Sequence, residues 1–138
     1  MRDFLMNNIA IIPARGGSKR IPRKNIKQFC GKPIISWSIN AAQNSGLFKE
    51  IIVSSDDEEI IELAKKDGAI APFVRPASIS DDFSTTHDVM LHAVDHLDRT
   101  GYEFDFACCI YPCSPFIQIA DLQEGLEIIK HKENFYSY

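Results

Sequence analysis

One stretch near the N-terminus constrains the chain more than any other: Ala10-Ile-Ile-Pro-Ala-Arg-Gly-Gly-Ser-Lys-Arg-Ile-Pro-Arg-Lys-Asn25. The apolar run Asn8–Pro13 has the pattern of a strand buried on both faces, as in a parallel sheet. It breaks directly into a loop of glycine, serine and cations. Six basic residues, Arg15, Lys19, Arg20, Arg23, Lys24 and Lys27, fall between positions 15 and 27, and no acidic residue occurs between Asp3 and Glu50. The whole chain carries −4; without those six cations the remaining 9 Lys+Arg stand against 19 Asp+Glu. Positive charge gathered against the average of the chain points to an anion, with a solvated basic loop as the plainer reading. Gly16 and Gly17 would let backbone N–H groups turn inward and, with Ser18, form a nest for phosphate. Arg15 and Lys24 would act as side-chain clamps, one bidentate, the other a mobile point charge.

The rest of the sequence alternates strand and helix. Pro33 fits the first turn of a helix, with Ile34, Trp37, Ile39, Ala41 and Ala42 as candidate buried positions, closed by Asn44-Ser45-Gly46. Glu50–Ser55 reads as the second strand, and Asp56 as the cap of a helix that stops at Gly68, with Glu59 three positions on. Ala69–Arg75 contains Pro72 and reads as a short edge strand or an extended segment. Pro76–Thr86 is a long polar connection, as in functional loops. Within it, Asp81 and Asp82 are expected to stabilise a turn. Thr85 opens a third helix with Asp88 placed for a capping box, followed by Met90, Ala93, Val94 and Leu97 at helical spacing. Phe104–Tyr111 reads as the third main strand, Pro112–Pro115 as a turn, and Leu122, Leu126 and Ile129 mark a fourth helix. Phe135–Tyr138 looks like the opening of a further strand, either the start of a continuing chain or a short edge; the former is expected here. The pattern is α/β: a three-layer, open, mostly parallel sheet with helices on both faces, in one domain over residues 1–138.

Several classes are set aside. The longest apolar runs fall far short of the ~18 residues of a membrane span, and Met1–Asn8 lacks the pattern of a signal peptide. Cys30, Cys108, Cys109 and Cys113 match neither a disulfide framework nor a zinc ribbon, so a reduced, cytoplasmic protein is expected. A nucleic-acid binder would interleave aromatics with the cations, and none lies between Arg15 and Lys27. His92 and His96 share a helical face and read as solvated surface before metal ligands. The loop is neither a Walker A motif nor the dinucleotide fingerprint. In open parallel sheets, ligands lie beyond the carboxyl ends of the strands, which here brings together Arg15–Asn25, Ser54–Asp57 and Tyr111–Pro115.

The segments IIPARGGSKRIPRKN, GKPIISWSI, IIVSSDDEEI, VRP and YPCSPF, in that order from residue 9 to about residue 131, resemble the CMP-sialic acid synthetase family of cytidylyltransferases. The resemblance implies a Rossmann-like nucleotidyltransferase fold. It implies that Arg15, Ser18 and Lys24 hold the triphosphate of CTP, with Arg15 and Lys24 as the catalytic cations, and that Asn25 contacts the nucleoside. It implies further that Arg75 reads the cytosine, that Ser84 lends its backbone near the base, and that Thr86 keeps the hydroxyl of a serine position. Family members that activate sialic acid carry Gln-Pro-Thr-Ser-Pro where this chain has Tyr111-Pro-Cys-Ser-Pro115, so Tyr111 would face the sugar and the pseudaminic acid branch fits better. The reaction implied is attack by the anomeric hydroxyl of a nine-carbon acidic sugar on the α-phosphate of CTP, with pyrophosphate leaving and Mg²⁺ bridging the phosphates. The family's metal-binding aspartates and dimerisation arm lie beyond the stretch present here. The Mg²⁺ ligands of a full-length homodimer are therefore expected mostly past Tyr138, and the chain is read as C-terminally truncated. A non-catalytic CTP-binding module is the competing reading.

Overall fold

The computed structural model describes residues 7–131, so the aromatic run at 135–138 lies outside the described residues. Three strands form one parallel sheet in the order β4-β1-β5: β1 is Ile9–Pro13, β4 Glu50–Ser54 and β5 Ala107–Cys109. β1 lies in the middle, with Ile9 opposite Glu50 on one side and Ala107 on the other. Its side chains alternate between two cores, which is why the run is apolar at every position. Ala10 and Ile12 pack with Ile51 and Val53 against α1 (Ile34–Ser45) and α2 (Glu58–Lys66), and Leu122 of α4 (Ile119–Lys130) joins them. Ile9, Ile11 and Ile52 pack on the other face against Ala93 and Leu97 of α3 (Thr86–Arg99). Ile9, Ile11 and Ile12 are each fully buried, worth about 1.5–3 kcal/mol apiece. The expected three-layer α/β architecture is what forms.

Local details differ from the sequence reading in instructive ways. Between β1 and α1 lies a small hairpin, β2 (Gln28–Phe29) and β3 (Lys32–Pro33), turning on Cys30 and Gly31, both at positive φ. That is the geometry of a primed two-residue turn, formed here without the usual Asn-Gly. Pro33 sits just before α1, at its N-cap, rather than in the first turn. The buried residues of α1 are Ile35, Ser36, Ser38, Ile39, Ala42 and Ser45, so that of the expected positions Ile39 and Ala42 are buried. Ile34, Trp37 and Ala41 are half-buried, and Trp37 donates its indole N–H to the Phe29 carbonyl at 2.8 Å. The serines were hidden because, though buried and satisfied by hydrogen bonds, they look polar in sequence.

Helix α2 is capped by Asp57, which accepts the Ile60 N–H at 3.1 Å, not by Asp56. Helix α3 has the expected capping box between Thr85 and Asp88. Residues 69–75 are extended and pair with the sheet through an isolated bridge, Ile52 to Ile70. Strand β5 pairs over three residues, not eight, and among the described residues no strand lies on its outer edge. No helix among the described residues is long and apolar enough to cross a membrane.

Candidate functional site

Strand order reverses at β1, whose neighbours are reached by connections leaving in opposite directions. Such a point leaves a crevice beyond the carboxyl ends of the strands. A cleft of about 160 Å³ lies there. β1 contributes Pro13 and, just past its end, Arg15 and Ser18; Lys24 and Asn25 close the same loop. Arg75 comes from the extended segment, Ser84, Thr85 and Thr86 from the entrance to α3, and Tyr111 and Pro112 from the end of β5. All the expected site residues except Gly16 and Gly17 line this one cleft.

The loop after β1 is held from both ends by α2. The Gly16 N–H donates to Asp56 Oδ1 at 2.9 Å, so that donor of the expected backbone nest is engaged by a carboxylate. A Cβ on Gly16 would stand 2.6 Å from Asp57 Oδ2, so only glycine fits; Gly17 faces open space. At the far end, Arg23 takes a left-handed backbone, φ 55°. Its guanidinium donates to Asp57 at 2.6 and 3.0 Å and to Glu59 at 2.6 Å. The Arg23 hydrogen bond holds the Asp57 carboxyl below its ordinary value, against a partial burial that would raise it. A single 3₁₀ turn, Lys24–Ile26, follows. Asn25 is buried; its Nδ2 donates to the Arg15 carbonyl at 2.9 Å and its Oδ1 accepts from the Cys113 thiol at 3.3 Å. Burial pushes the Cys113 thiol up, while Lys24 pulls the other way.

Arg75 is only 4% exposed. It donates to the Ser54 carbonyl at 3.2 Å and the Ile79 carbonyl at 3.4 Å, and its Nε has no partner. It forms no ion pair among the described residues. Burial lowers its pKa, partly offset by Asp56 nearby. A buried cation with an unused donor, beside a cleft, needs an electron-rich partner.

Opposite Arg15, the loop at 76–86 reaches across the mouth of the cleft. Asp82 pairs with Arg15 Nη1 at 2.7 Å and with Lys19 Nζ. The turn itself is held by Asp81 alone, which accepts from the Phe83 N–H, the Ser84 N–H and the Ser84 hydroxyl. The shared role expected of the two aspartates is thus divided. Thr86 and Tyr111 bring their hydroxyls to 3.1 Å of each other. From below, the buried Ser38 hydroxyl of α1 lies 2.9 Å from the Tyr111 carbonyl and 3.4 Å from the Ser114 N–H, fixing the turn after β5.

Sequence reasoning missed the roles of Asp82, Ser38 and Arg23. The run Asp56-Asp57-Glu58-Glu59 at the end of the neighbouring strand was the available signal, since an acidic cluster beside a basic loop must partly neutralise it. His92 and His96 both lie against the Phe73 ring, with centroids 4.9 Å away. No group of three or more His, Cys, Asp or Glu side chains among the described residues could hold a metal ion.

A family model described as cytidylyltransferase matches residues 9–138. The chain is 50% identical over 131 residues to pseudaminic acid cytidylyltransferase of Campylobacter jejuni, covering 94% of this chain and 56% of the relative. It is 34% identical to CMP-N,N'-diacetyllegionaminic acid synthase of Legionella pneumophila, covering 91% of this chain and 54% of the relative. The chain therefore spans a little over half the length of these relatives. Among solved structures, a CMP:2-keto-3-deoxy-manno-octonic acid synthetase complexed with CTP superposes with a TM-score of 0.75 at 24% identity, covering 89% of this chain and 47% of that one, and shows the shared fold.

Proposed function

The chain belongs to the cytidylyltransferase family, and from that premise we propose that its cleft binds CTP for transfer of CMP to a nonulosonic acid, with release of pyrophosphate. The observation that carries this reading is Arg75: a buried guanidinium with a free Nε, lining the same cleft as Arg15 and Lys24. Cytosine offers its carbonyl oxygen and ring nitrogen as neutral acceptors, which suit a desolvated donor better than a second charge would. Arg15, Ser18 and Lys24 face the triphosphate. Neutralisation and alignment there are what displacement at phosphorus requires, and the positive charge would offset what builds on the leaving pyrophosphate. Asn25 holds the Arg15 carbonyl and so fixes one wall against which the nucleoside rests. The Ser84 backbone lies toward the base, and the Thr86 and Tyr111 hydroxyls toward the sugar.

A pseudaminic-type acid is the substrate this reading favours, supported by the 50% identity to the Campylobacter enzyme and by Tyr111. All four cysteines are free, which fits a reducing, cytoplasmic setting. The test is pyrophosphate release from CTP and a nonulosonic acid in the presence of Mg²⁺, with Lys24→Ala beside the parent chain. Turnover that disappears in Lys24→Ala supports the reading, and turnover unchanged by the substitution contradicts the role given to Lys24. CTP binding without any turnover would favour the second reading, a CTP-binding module.

A further inference from the structure

We propose that Arg23, although it sits in the basic loop, is a positioning residue: anchored on Asp57 and Glu59, it sets where Lys24 and Asn25 stand across the cleft from Arg15. The inference rests on the reading that this cleft holds CTP. Arg23 does not line the cleft, whereas Arg15 before the loop and Lys24 and Asn25 after it do. Its charge is already met by two carboxylates through three hydrogen bonds. The left-handed backbone is costly for a residue with a Cβ, and such a conformation persists only where its surroundings impose it. Here the side-chain anchor imposes it, and the turn it makes feeds directly into the 3₁₀ turn carrying Lys24 and Asn25.

The same helix end holds the start of the loop, since Asp56 takes the Gly16 N–H and Asp57 fills the space where a Cβ on residue 16 would stand. The loop is therefore pinned at residues 16 and 23 to one rigid helix terminus, and the cleft-lining groups just outside those pins inherit a fixed spacing. Arginine suits this better than lysine. Its planar fork satisfies both Asp57 oxygens and still reaches Glu59, where an ammonium offers a single point of charge.

The experiment uses Arg23→Gln, Arg23→Lys and Asp57→Asn, the last because asparagine still caps a helix as aspartate does. CTP affinity is measured by calorimetry well below each melting temperature. The expected result is binding weakened about tenfold in Arg23→Gln and in Asp57→Asn, with partial rescue in Arg23→Lys. In the double variant the loss should be no greater than in either single one. The salt dependence of CTP binding should be the same in Arg23→Gln as in the parent, because no phosphate contact has been removed. A shallower salt dependence would make Arg23 a phosphate ligand and overturn the proposal. A lower melting temperature with unchanged CTP affinity would make it merely structural and overturn it equally.

The Asn25 side-chain amide, bonded to the Arg15 carbonyl, gives a readout without ligand: its solvent exchange should rise about tenfold in Arg23→Gln. Unchanged exchange refutes the positioning role. A parent chain that binds no CTP would refute the functional reading instead, with the amide still deciding this one.

Discussion

Gly16 and Gly17 are neighbours of the same type, yet the structure separates them sharply. Adding a methyl group at Gly16 brings Cβ to 2.6 Å from Asp57 Oδ2, 2.8 Å from Asp57 Cβ and 3.0 Å from Asp57 Cγ. Asp57 cannot swing aside freely, because it caps α2 through the Ile60 N–H and is gripped by Arg23. Gly16→Ala must therefore displace the cap or the loop. Loss of such a cap costs about 0.5–2 kcal/mol, and the overpacking adds strain of about 1 kcal/mol or more. Together, about 1.5–3 kcal/mol or more in a domain of this size lowers the melting temperature by roughly 4–10 °C or more. Gly17→Ala meets nothing within 4 Å and needs no unusual φ. There the substitution restricts the unfolded chain and should leave stability unchanged or raise it by up to about 1 kcal/mol. Thermal melts followed by circular dichroism compare the two directly. Variants that melt together, or a Gly17→Ala that melts lower than Gly16→Ala, would refute the clamped-loop geometry.

Three further outcomes follow from the same contacts. Asp57, Asp81, Asp82 and Asp88 all have carboxyl pKa values held below the ordinary one, chiefly by hydrogen bonds from Arg23, Ser84, Lys19 and Thr85 respectively. A depressed folded-state pKa gives stability that is present above the unfolded value, about 3.9, and is lost as pH falls through the folded one, so melting temperature should drop on acidification below about pH 4 and drop less in Asp57→Asn. Asp82 occupies Arg15, a cation that a triphosphate would use, and Lys19 beside it, so Asp82→Asn should tighten CTP binding about two- to fivefold at low salt, an advantage that calorimetry should see shrink as salt rises. Thr85→Ala removes one half of the capping box of α3 and should cost about 0.5–2 kcal/mol in urea unfolding, while Thr86→Ala, whose hydroxyl meets Tyr111, should cost less.

What could be read from the sequence was what the chain decides locally. β1 announced itself as a nearly continuous apolar run because both its faces are covered. The capping box of α3 needed only Thr85 and Asp88, three positions apart. The cleft residues were identifiable because a charged loop after a buried strand has few other uses, and the family resemblance named their partners at Arg75, Ser84 and Thr86. What was misread depended on distant parts of the chain. Asp56 lost the cap to Asp57 because its carboxylate is taken by Gly16, 40 positions away. Asp82 left its expected turn for Arg15, 67 positions away. Strand β5 came out short: among the described residues it pairs only with β1, over Ala107–Cys109.

The function proposed for this chain requires that the cleft between the ends of β1 and β5 grip CTP. Amide shift changes on titrating CTP into the ¹⁵N-labelled chain test it most directly. The changes should be confined to the loop from Arg15 to Asn25, to Arg75, to Ser84–Thr86 and to Tyr111, and should be strongly reduced in Arg75→Gln. Shifts gathered instead along α4 and the outer edge of β5, or an identical response in Arg75→Gln, would contradict it.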